Sequence, residues 1–228
     1  MVAFAGPDPI GVLIGAKRPS ATLVHKIAVH PDHQRQGHGR HLLASLGSKL
    51  AILGPPRIVA EVPAPNAPAR GLFSANGWVE EAVLTDYIWA GGPQRSESRT
   101  GFIIPVSVDD LGANGLLGEG DPPTCWERSL ETLTARKDEI GGLAVASEER
   151  VEAYVLYIKE EAKILSLRSF MDDGDARLGE LLARLDPGGA GAILPKVHPA
   201  EMPAGRLETL GFRPAGAHLL YAASAGSA

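Results

Sequence analysis

The amino-acid sequence predicts an α/β fold, of the α+β type with a mixed sheet, in which helices pack on a central sheet. Short apolar runs bounded by glycine and proline alternate with segments whose leucines recur at helical spacing. The same order of elements occurs twice along the chain. The 228 residues are 44% hydrophobic and 21% charged, enough apolar material for the core of one large or two small domains.

The first half starts with two strands and a helix. Lys17–Ser20 has the composition of a turn between the strands, and Gly54-Pro55-Pro56 ends the helix. The predicted elements are, in order, strands at Ile10–Ala16 and Thr22–Val29, a helix from Gly39 to about Leu53, a strand at Arg57–Val62, a short helix at Ala69–Ala75 and a strand at Val79–Ala90.

The second half repeats this order after a polar linker. The predicted elements are a strand at Phe102–Val108, a helix at Pro123–Asp138, strands at Gly142–Ala146, Glu152–Ile158 and Ala162–Ser169, a helix at Asp175–Leu185, a strand at Ala190–Val197, a helix at Met202–Leu210 and a last strand to about Ala223. The sequence therefore predicts a first domain at 1–91, a linker at 92–101 and a second domain at 102–228.

A glycine-containing loop follows the second strand. It has the order Gln34-x-x-Gly37-x-Gly39, between Ile27-Ala28-Val29 and the start of the helix. Glycines let a ligand approach the backbone, and a helix N-terminus offers free N–H groups with partial positive charge. The sequence predicts an anion cradle here, and Arg35 and Arg40 add full charges. The alternative is an ordinary strand-to-helix turn.

This loop resembles the acyl-CoA pyrophosphate loop of the GNAT N-acetyltransferases, flanks included. The resemblance implies the acyl-CoA N-acyltransferase fold in two tandem copies, with acetyl-CoA as donor and no metal. It implies that the strand backbone at Ile27, Ala28 and Val29 pairs with the pantetheine arm. The pyrophosphate would then lie on the loop residues Gln34, Arg35, Gln36, Gly37, His38, Gly39 and Arg40.

The two halves differ in this respect. The corresponding loop of the second half, residues 171–179, carries three aspartates, which repel a pyrophosphate. We expect the second copy to be degenerate, with a structural or substrate-forming role. The first copy has only nine residues ahead of its paired strands, where the family carries a strand and helices. We therefore expect a copy truncated at its N-terminus, completed by the second half or by another subunit; a misplaced start is the alternative.

Glu61 is the first candidate for the general base. It lies in an otherwise apolar strand, where desolvation makes a carboxylate a better base. The segment Glu61-Val62-x-x-x-Asn66-x-x-Ala69-x-x-Leu72-Phe73 resembles ribosomal-protein alanine acetyltransferases, in which the matching Glu is the base. Their general-acid Tyr falls on Phe73, which cannot donate a proton. Tyr87 or water is expected to protonate the thiolate instead.

His25 is the second candidate for the base, because it lies on the pantetheine strand and imidazole titrates near neutral pH. Asn66 is expected to contact the CoA arm or to cap the short helix. His30, His33, His38 and His41 cluster around the loop, but their spacing matches no established metal site, and no metal is expected.

Composition and net charge argue against some classes of binding partner. A net charge of −5 argues against general nucleic-acid affinity. One cysteine, no signal peptide and no run of transmembrane length favour a cytoplasmic protein without membrane contact. The sequence thus predicts an N-acetyltransferase, monomeric or homodimeric, that moves an acetyl group to a small-molecule or peptide amine by direct attack. A catalytically weak or inactive acyl-CoA sensor or scaffold, and a fold without CoA function, are the alternatives.

Overall fold

The computed structural model describes residues 1–91, 102–117, 124–158, 160–173, 175–185 and 191–226. These residues form two compact units. Unit 1 comprises Met1–Val83 with Ala217–Ala228, and unit 2 comprises Leu84–Gly216. The boundary falls inside two strands, β5 (Val79–Trp89) and β11 (Phe212–Ser224), so each unit contains part of both.

Unit 1 is a mixed sheet with two helices on one face. Along the sheet its strands run in the order β1, β2, β3, β4, β11; β3 and β4 are parallel and the other neighbouring pairs are antiparallel. Its elements are β1 (Val2–Ala5), β2 (Asp8–Lys17), β3 (Ala21–Val29), α1 (His38–Leu53), β4 (Arg57–Pro63) and α2 (Ala67–Ala75), with the parts of β5 and β11 named above.

The core of unit 1 forms because α1 has one apolar stripe. Leu42, Leu43, Leu46 and Leu50 are all buried, as helical spacing requires, and pack on inward side chains of the sheet. The inward side chains of β4 are Ile58, Ala60 and Val62, and those of β11 are Leu219 and Tyr221. Because side chains alternate along a strand, Glu61 lies on the opposite face of the sheet.

Unit 2 repeats the pattern of unit 1. Its sheet has the order β5, β10, β9, β8, β7, β6. Its elements are β6 (Phe102–Pro105), α3 (Val108–Ala113), α4 (Leu130–Ala135), β7 (Ile140–Ala146), β8 (Val151–Ile158), β9 (Lys163–Ser169), α5 (Ala176–Leu182), β10 (Ala192–Val197) and α6 (Ala204–Thr209). The order strand, strand, helix, strand, short helix, strand occurs twice, as the sequence predicts.

The halves exchange their last strands. β11, from the end of the second half, pairs with β4, with His218 opposite Pro63 and Ser224 opposite Arg57. β5, from the first half, pairs with β10, with Tyr87 opposite Leu194. The compact units therefore differ from the predicted halves at these strands, because strand pairing rather than chain order decides which residues pack together. The boundaries 1–91 and 102–228 stay a prediction, and the linker 92–101 lies outside the described residues.

Two local predictions were wrong. The helix predicted at Pro123–Asp138 is, within its described part, a 3₁₀ turn at Trp126–Arg128 followed by α4, because Ser129 caps a new helix start by accepting from the Thr132 N–H. The strand predicted to reach Val108 ends at Pro105. Ser107 then forms a capping box with Asp110 and starts α3.

Candidate functional site

The loop between β3 and α1 is held against the end of its strand by its own side chains. A 3₁₀ turn at Pro31–His33 follows β3. The Gln34 side-chain amide donates to the Val29 carbonyl at 3.1 Å, and that of Gln36 donates to the Asp32 carbonyl at 3.1 Å. The two glutamines therefore satisfy carbonyl oxygens at the base of the loop and leave the loop backbone turned outward.

Two residues of the loop have left-handed backbone conformations. Arg35 has φ +60° and Gly37 has φ +87°. Gly37 immediately precedes the first residue of α1, and a Cβ there would meet no atom within 4 Å, so it is the backbone angle that favours glycine. A Cβ on Gly39 would lie 3.3 Å from Leu72 of α2, so this glycine allows close packing instead.

The loop exposes a row of free donors. Within the part of the chain that the structure describes, the backbone N–H groups of residues 35–40 donate no hydrogen bond. The first bond of α1 is from the His41 N–H to the Gly37 carbonyl, at 2.9 Å. Free N–H groups at the N-terminus of a 16-residue helix carry partial positive charge and attract anions. Arg35 and Arg40 are exposed beside them.

The neighbouring strands part beside this loop. β3 and β4 pair only where Ala21–Leu23 face Arg57–Val59. Beyond that point β3 stays hydrogen-bonded to β2 as far as Val29, and β4 to β11 as far as Pro63, but β3 and β4 are no longer paired with each other. The result is a gap lined by the backbones of residues 24–29 and 60–63.

Alternation along β3 shows which backbone groups line the gap. The His30 N–H donates to the Ile10 carbonyl on β2, at 2.7 Å. Backbone groups of successive strand residues point to opposite sides, so Ala28 also faces β2. The N–H and C=O of Ile27 and the N–H of Val29 therefore face the gap, whereas the Val29 carbonyl accepts from the Gln34 side chain. Another chain with amide groups can form strand-like hydrogen bonds there.

Glu61 lies on β4 where this strand has left β3. It is half-buried, so its apolar neighbours Ala60 and Val62 do not remove the carboxylate from water as fully as the sequence predicts. On the same face, Val2, Phe4 and Ile14 are 51%, 60% and 48% exposed. The face that carries Glu61 therefore also presents apolar side chains from β1 and β2.

His25 is the extra residue of a β-bulge. Ile14 of β2 lies opposite Lys26 and the next residue, Gly15, lies opposite Val24, which leaves His25 without a partner across β2. Its side chain is exposed. A bulge re-aims side chains relative to a regular strand. His25 therefore lies on the strand that was predicted, as an accessible imidazole.

Asn66 and Phe73 have structural roles on α2. The Asn66 Oδ1 accepts from the Ala69 N–H at 3.2 Å and caps the helix, one of the two roles expected for it. Phe73 is 2% exposed, in edge contact with Trp78 (centroids 4.9 Å apart) and stacked on Tyr221 (5.7 Å). The Tyr221 hydroxyl donates to Glu80 at 3.3 Å. CoA contacts of Asn66 and Phe73 stay predictions.

Tyr87 belongs to unit 2. Its side chain is 5% exposed in an apolar cluster with Trp89, Leu194 and Val197. Burial, followed by the charge of Glu208, raises the pKa of the Tyr87 hydroxyl, and a hydrogen bond with Thr85 opposes this. A raised pKa favours the protonated form that an acid needs. The role of Tyr87 as a substitute acid stays a prediction.

The corresponding loop of unit 2 pairs two of its three aspartates with arginines. Asp175, which precedes α5 with φ +68°, is 8% exposed and bonded through both oxygens to Arg206. Asp173 bonds Arg177 at 2.7 Å, and Arg177 also bonds Glu152. Burial raises the pKa of Asp173, but bonds and charge from Arg177 outweigh it and leave that pKa below its ordinary value. In this loop, carboxylates of the protein therefore pair with the arginines that would otherwise bind an anion.

Unit 2 also closes its own strand gap. β9 and β10 pair at one described position, Ile193 with Lys163. Arg128, 4% exposed, donates to the carbonyls of Pro195 and Lys196 on β10 and forms a bidentate pair with Glu201.

A cavity of about 590 Å³ lies near the loop of unit 2, lined by Arg168, Ser169, Phe170, Met171, Asp172, Asp175 and Arg206. Its lining carries charges of both signs, among them the Asp175–Arg206 pair, which distinguishes it from the open cationic loop of unit 1.

Among the described residues, neither a metal site nor a membrane-spanning helix is found. In those ranges no group of three or more His, Cys, Asp or Glu side chains is arranged to hold a metal ion. No helix there is long and apolar enough to cross a membrane.

A parallel pair of strands that separates beside a glycine loop, followed by a helix, is typical of the acyl-CoA N-acyltransferase fold. Unit 1 has this arrangement, and the order of strands and helices repeats in the second half. Residues 1–78 match the acetyltransferase (GNAT) family. This match covers about a third of the chain and shows the family to which this part is similar.

Solved structures support the same fold over the whole chain. A tandem GNAT protein from the clavulanic acid biosynthesis pathway is 15% identical, with a TM-score of 0.65 over 99% of this chain and 82% of its own. A putative acetyltransferase from Pyrococcus horikoshii is 17% identical, with a TM-score of 0.62 over 98% of this chain and 72% of its own. At these identities the likeness establishes the fold alone.

A curated relative is closer in sequence over a shorter range. The ribosomal protein bS18-alanine N-acetyltransferase of Escherichia coli (strain K12) is 43% identical over 67 residues, which are 29% of this chain and 45% of the relative. The chain thus matches less than half the length of that enzyme.

Proposed function

We propose that this protein is an acetyltransferase that moves an acetyl group from acetyl-CoA to a primary amine. The observation that carries the proposal is the gap between β3 and β4, which opens beside the free N–H groups of residues 35–40. An acyl-CoA has an anionic diphosphate joined to an arm with two amides. The loop supplies donors for the first, and Ile27 and Val29 supply strand-like partners for the second.

The chemical step is a direct attack. The nitrogen of a neutral amine forms a bond to the thioester carbonyl carbon, the C–S bond breaks, and the thiolate of CoA leaves. The amine loses one proton and the thiolate gains one. We assign to Glu61 the role of the base that accepts the proton of the amine, directly or through a water molecule. Its half-buried carboxylate lies at the widened end of the gap.

His25 is the second candidate for the base, since its bulged, exposed imidazole belongs to the strand that lines the gap. For the thiolate, Phe73 offers no proton and is packed in the core. Water is assigned the role of the acid, and a role of Tyr87, which lies in unit 2, stays a prediction from the sequence. A thiolate is a good leaving group, so a weak acid suffices.

The acceptor approaches on the face that carries Glu61. Val2, Phe4 and Ile14 make this face partly apolar, which favours an amine with an apolar neighbouring group over a highly charged one. The curated relative is named for acetylating an alanine of a ribosomal protein. Peptides with an N-terminal alanine are therefore the first acceptors to test, followed by small-molecule amines.

The test is CoA release from acetyl-CoA over such a panel, with Glu61→Gln and His25→Gln compared with the parent protein. We expect turnover with at least one acceptor and a fall of about 10²-fold or more in kcat for Glu61→Gln, with an unchanged Kd for acetyl-CoA. If Glu61→Gln keeps full activity and His25→Gln loses it, the base is His25.

A non-catalytic acyl-CoA sensor or scaffold is the second candidate, because the usual acid position holds Phe73. It predicts acetyl-CoA binding without turnover on the whole panel. Failure of acetyl-CoA to raise the melting temperature even at millimolar concentration would contradict both functions.

A further inference from the structure

Three imidazole rings lie beside the free donors of the unit 1 loop. The ring centroids of His30 and His33 are 5.9 Å apart and those of His33 and His38 are 6.2 Å apart, in both cases edge to face. His33 and His38 are half-buried, whereas His30 is exposed. His33 immediately precedes residues 34–37 and His38 immediately follows them, so this pair of rings lies at the two ends of the loop.

We propose that His33 and His38 are titratable ligands of the donor diphosphate, so that donor affinity increases as the pH falls through the imidazole range. The inference rests on the proposed function, because the diphosphate is that of the acyl donor. An imidazole gains its positive charge between pH 8 and pH 5. Two such charges about 6 Å apart repel each other, and an anion bound beside both removes that repulsion.

The charges around the pair favour an anion. Arg35 in the loop and Arg40 on α1 are exposed and add positive charge, and His41 on α1 is also exposed. The carboxylate of Asp32 lies beside the third imidazole, with its Oδ2 3.7 Å from His30 Nδ1. From β2 the acidic residue is the exposed Asp8. From α2 the charged residue is Arg70, which donates to the Ala64 carbonyl at 3.2 Å.

The experiment is calorimetric titration with dephospho-CoA at several pH values from 5.5 to 8.0. This probe lacks the 3′-phosphate, whose own titration would confuse the result, and its diphosphate keeps its charge over the range. Two buffers of different ionisation enthalpy count the protons taken up on binding. The variant is His33→Gln with His38→Gln, and the control is His41→Gln, an exposed histidine of the same helix.

We expect the parent protein to bind dephospho-CoA about tenfold more tightly at pH 5.5 than at pH 8.0, the effect of a unit charge a few ångströms from a phosphate in partly exposed surroundings. Binding should be accompanied by proton uptake. The double variant should lose both the pH dependence and the proton uptake, and His41→Gln should keep them.

Three results would overturn the inference. One is binding of equal strength at all pH values, which leaves the acyl-donor site itself intact. Another is a double variant that keeps the full pH dependence while its melting temperature matches that of the parent. The third is the loss of pH dependence in His41→Gln. If neither acetyl-CoA nor dephospho-CoA binds at any pH, the proposed function fails as well.

Discussion

At the residue scale, the geometry of the candidate donor loop depends on one backbone angle. Gly37 has φ +87°, and a side chain there would meet no neighbouring atom, so substitution tests the angle by itself. We expect Gly37→Ala to reduce the free energy of unfolding by about 1–2 kcal/mol and to weaken acetyl-CoA binding, because a left-handed angle is costly with a Cβ. Chemical denaturation and calorimetry measure the two effects.

The matched control is Gly71→Ala on α2. A Cβ at Gly71 also meets nothing within 4 Å, but its φ lies outside the left-handed range. Alanine is the better helix former, so this variant should be neutral or more stable by up to about 1 kcal/mol. Equal behaviour of the two variants would mean that the loop does not depend on its left-handed glycine.

A second prediction concerns the pH dependence of stability. Burial opposes ionisation of Glu127, but Lys163 and Lys196 outweigh it and lower its pKa to about 2. A pKa that is lower in the folded state contributes stability above the ordinary carboxyl value and loses it as the pH falls from about 4.5 toward 2. The stability lost in Glu127→Gln should therefore be larger at pH 7 than at pH 3.

Denaturation curves of the parent and Glu127→Gln at pH 7, 5 and 3 measure this difference. Asp109→Asn is a suitable control, because its partner Lys137 is exposed and surface ion pairs contribute little. A constant difference between parent and Glu127→Gln at all three pH values would contradict the assignment.

At the scale of the elements, the core of unit 1 depends on β11, a strand that lies more than 120 residues beyond the last residue of β5. Tyr221 of this strand is 2% exposed and stacks on Phe73. We expect Tyr221→Ala to destabilise the protein by about 3–5 kcal/mol, as aromatic truncation in a core does, and to abolish acetyl-CoA binding. Thermal melts with and without acetyl-CoA test both.

Tyr221→Phe separates packing from the hydroxyl group. The hydroxyl donates at 3.3 Å to Glu80, an exposed residue, so its loss should cost only about 0.5–1 kcal/mol. If Tyr221→Phe is as damaging as Tyr221→Ala, the hydroxyl has a role beyond this bond.

At the scale of the whole molecule, the exchange of β5 and β11 makes each unit depend on strands from both halves of the sequence. A fragment of residues 1–91 lacks β11 and leaves unpaired the edge of β4 (Arg57–Pro63) that faces this strand. We expect this fragment to be unfolded or aggregated, since an exposed strand edge invites association. Circular dichroism and size-exclusion chromatography test the expectation.

Co-expression of residues 1–91 with residues 102–228 provides the control. If strand exchange is the reason for the failure, the two fragments should co-purify and bind acetyl-CoA together. A folded, monomeric fragment of residues 1–91 that binds acetyl-CoA by itself would contradict the dependence.

The sequence by itself determined the fold class, the repeat and the position of the glycine loop between β3 and α1. These depend on local signals: leucines at helical spacing in α1, apolar runs for strands, and a glycine loop with its flanks. It missed β1, whose four residues are too short to show a pattern, and it joined the turn at Trp126–Arg128 and α4 into one helix, because a capping residue such as Ser129 also occurs inside helices.

Only the tertiary structure decided how the site is assembled. Separation of β3 from β4, the exposure of Glu61, the ring pair of His33 and His38, and the burial of Phe73 against Tyr221 all depend on which segments become neighbours. The exchange of β5 and β11 likewise depends on which strands become neighbours in the folded protein. Strand pairing is a long-range contact, and local sequence patterns carry no information about which of two equivalent strands a given edge will receive.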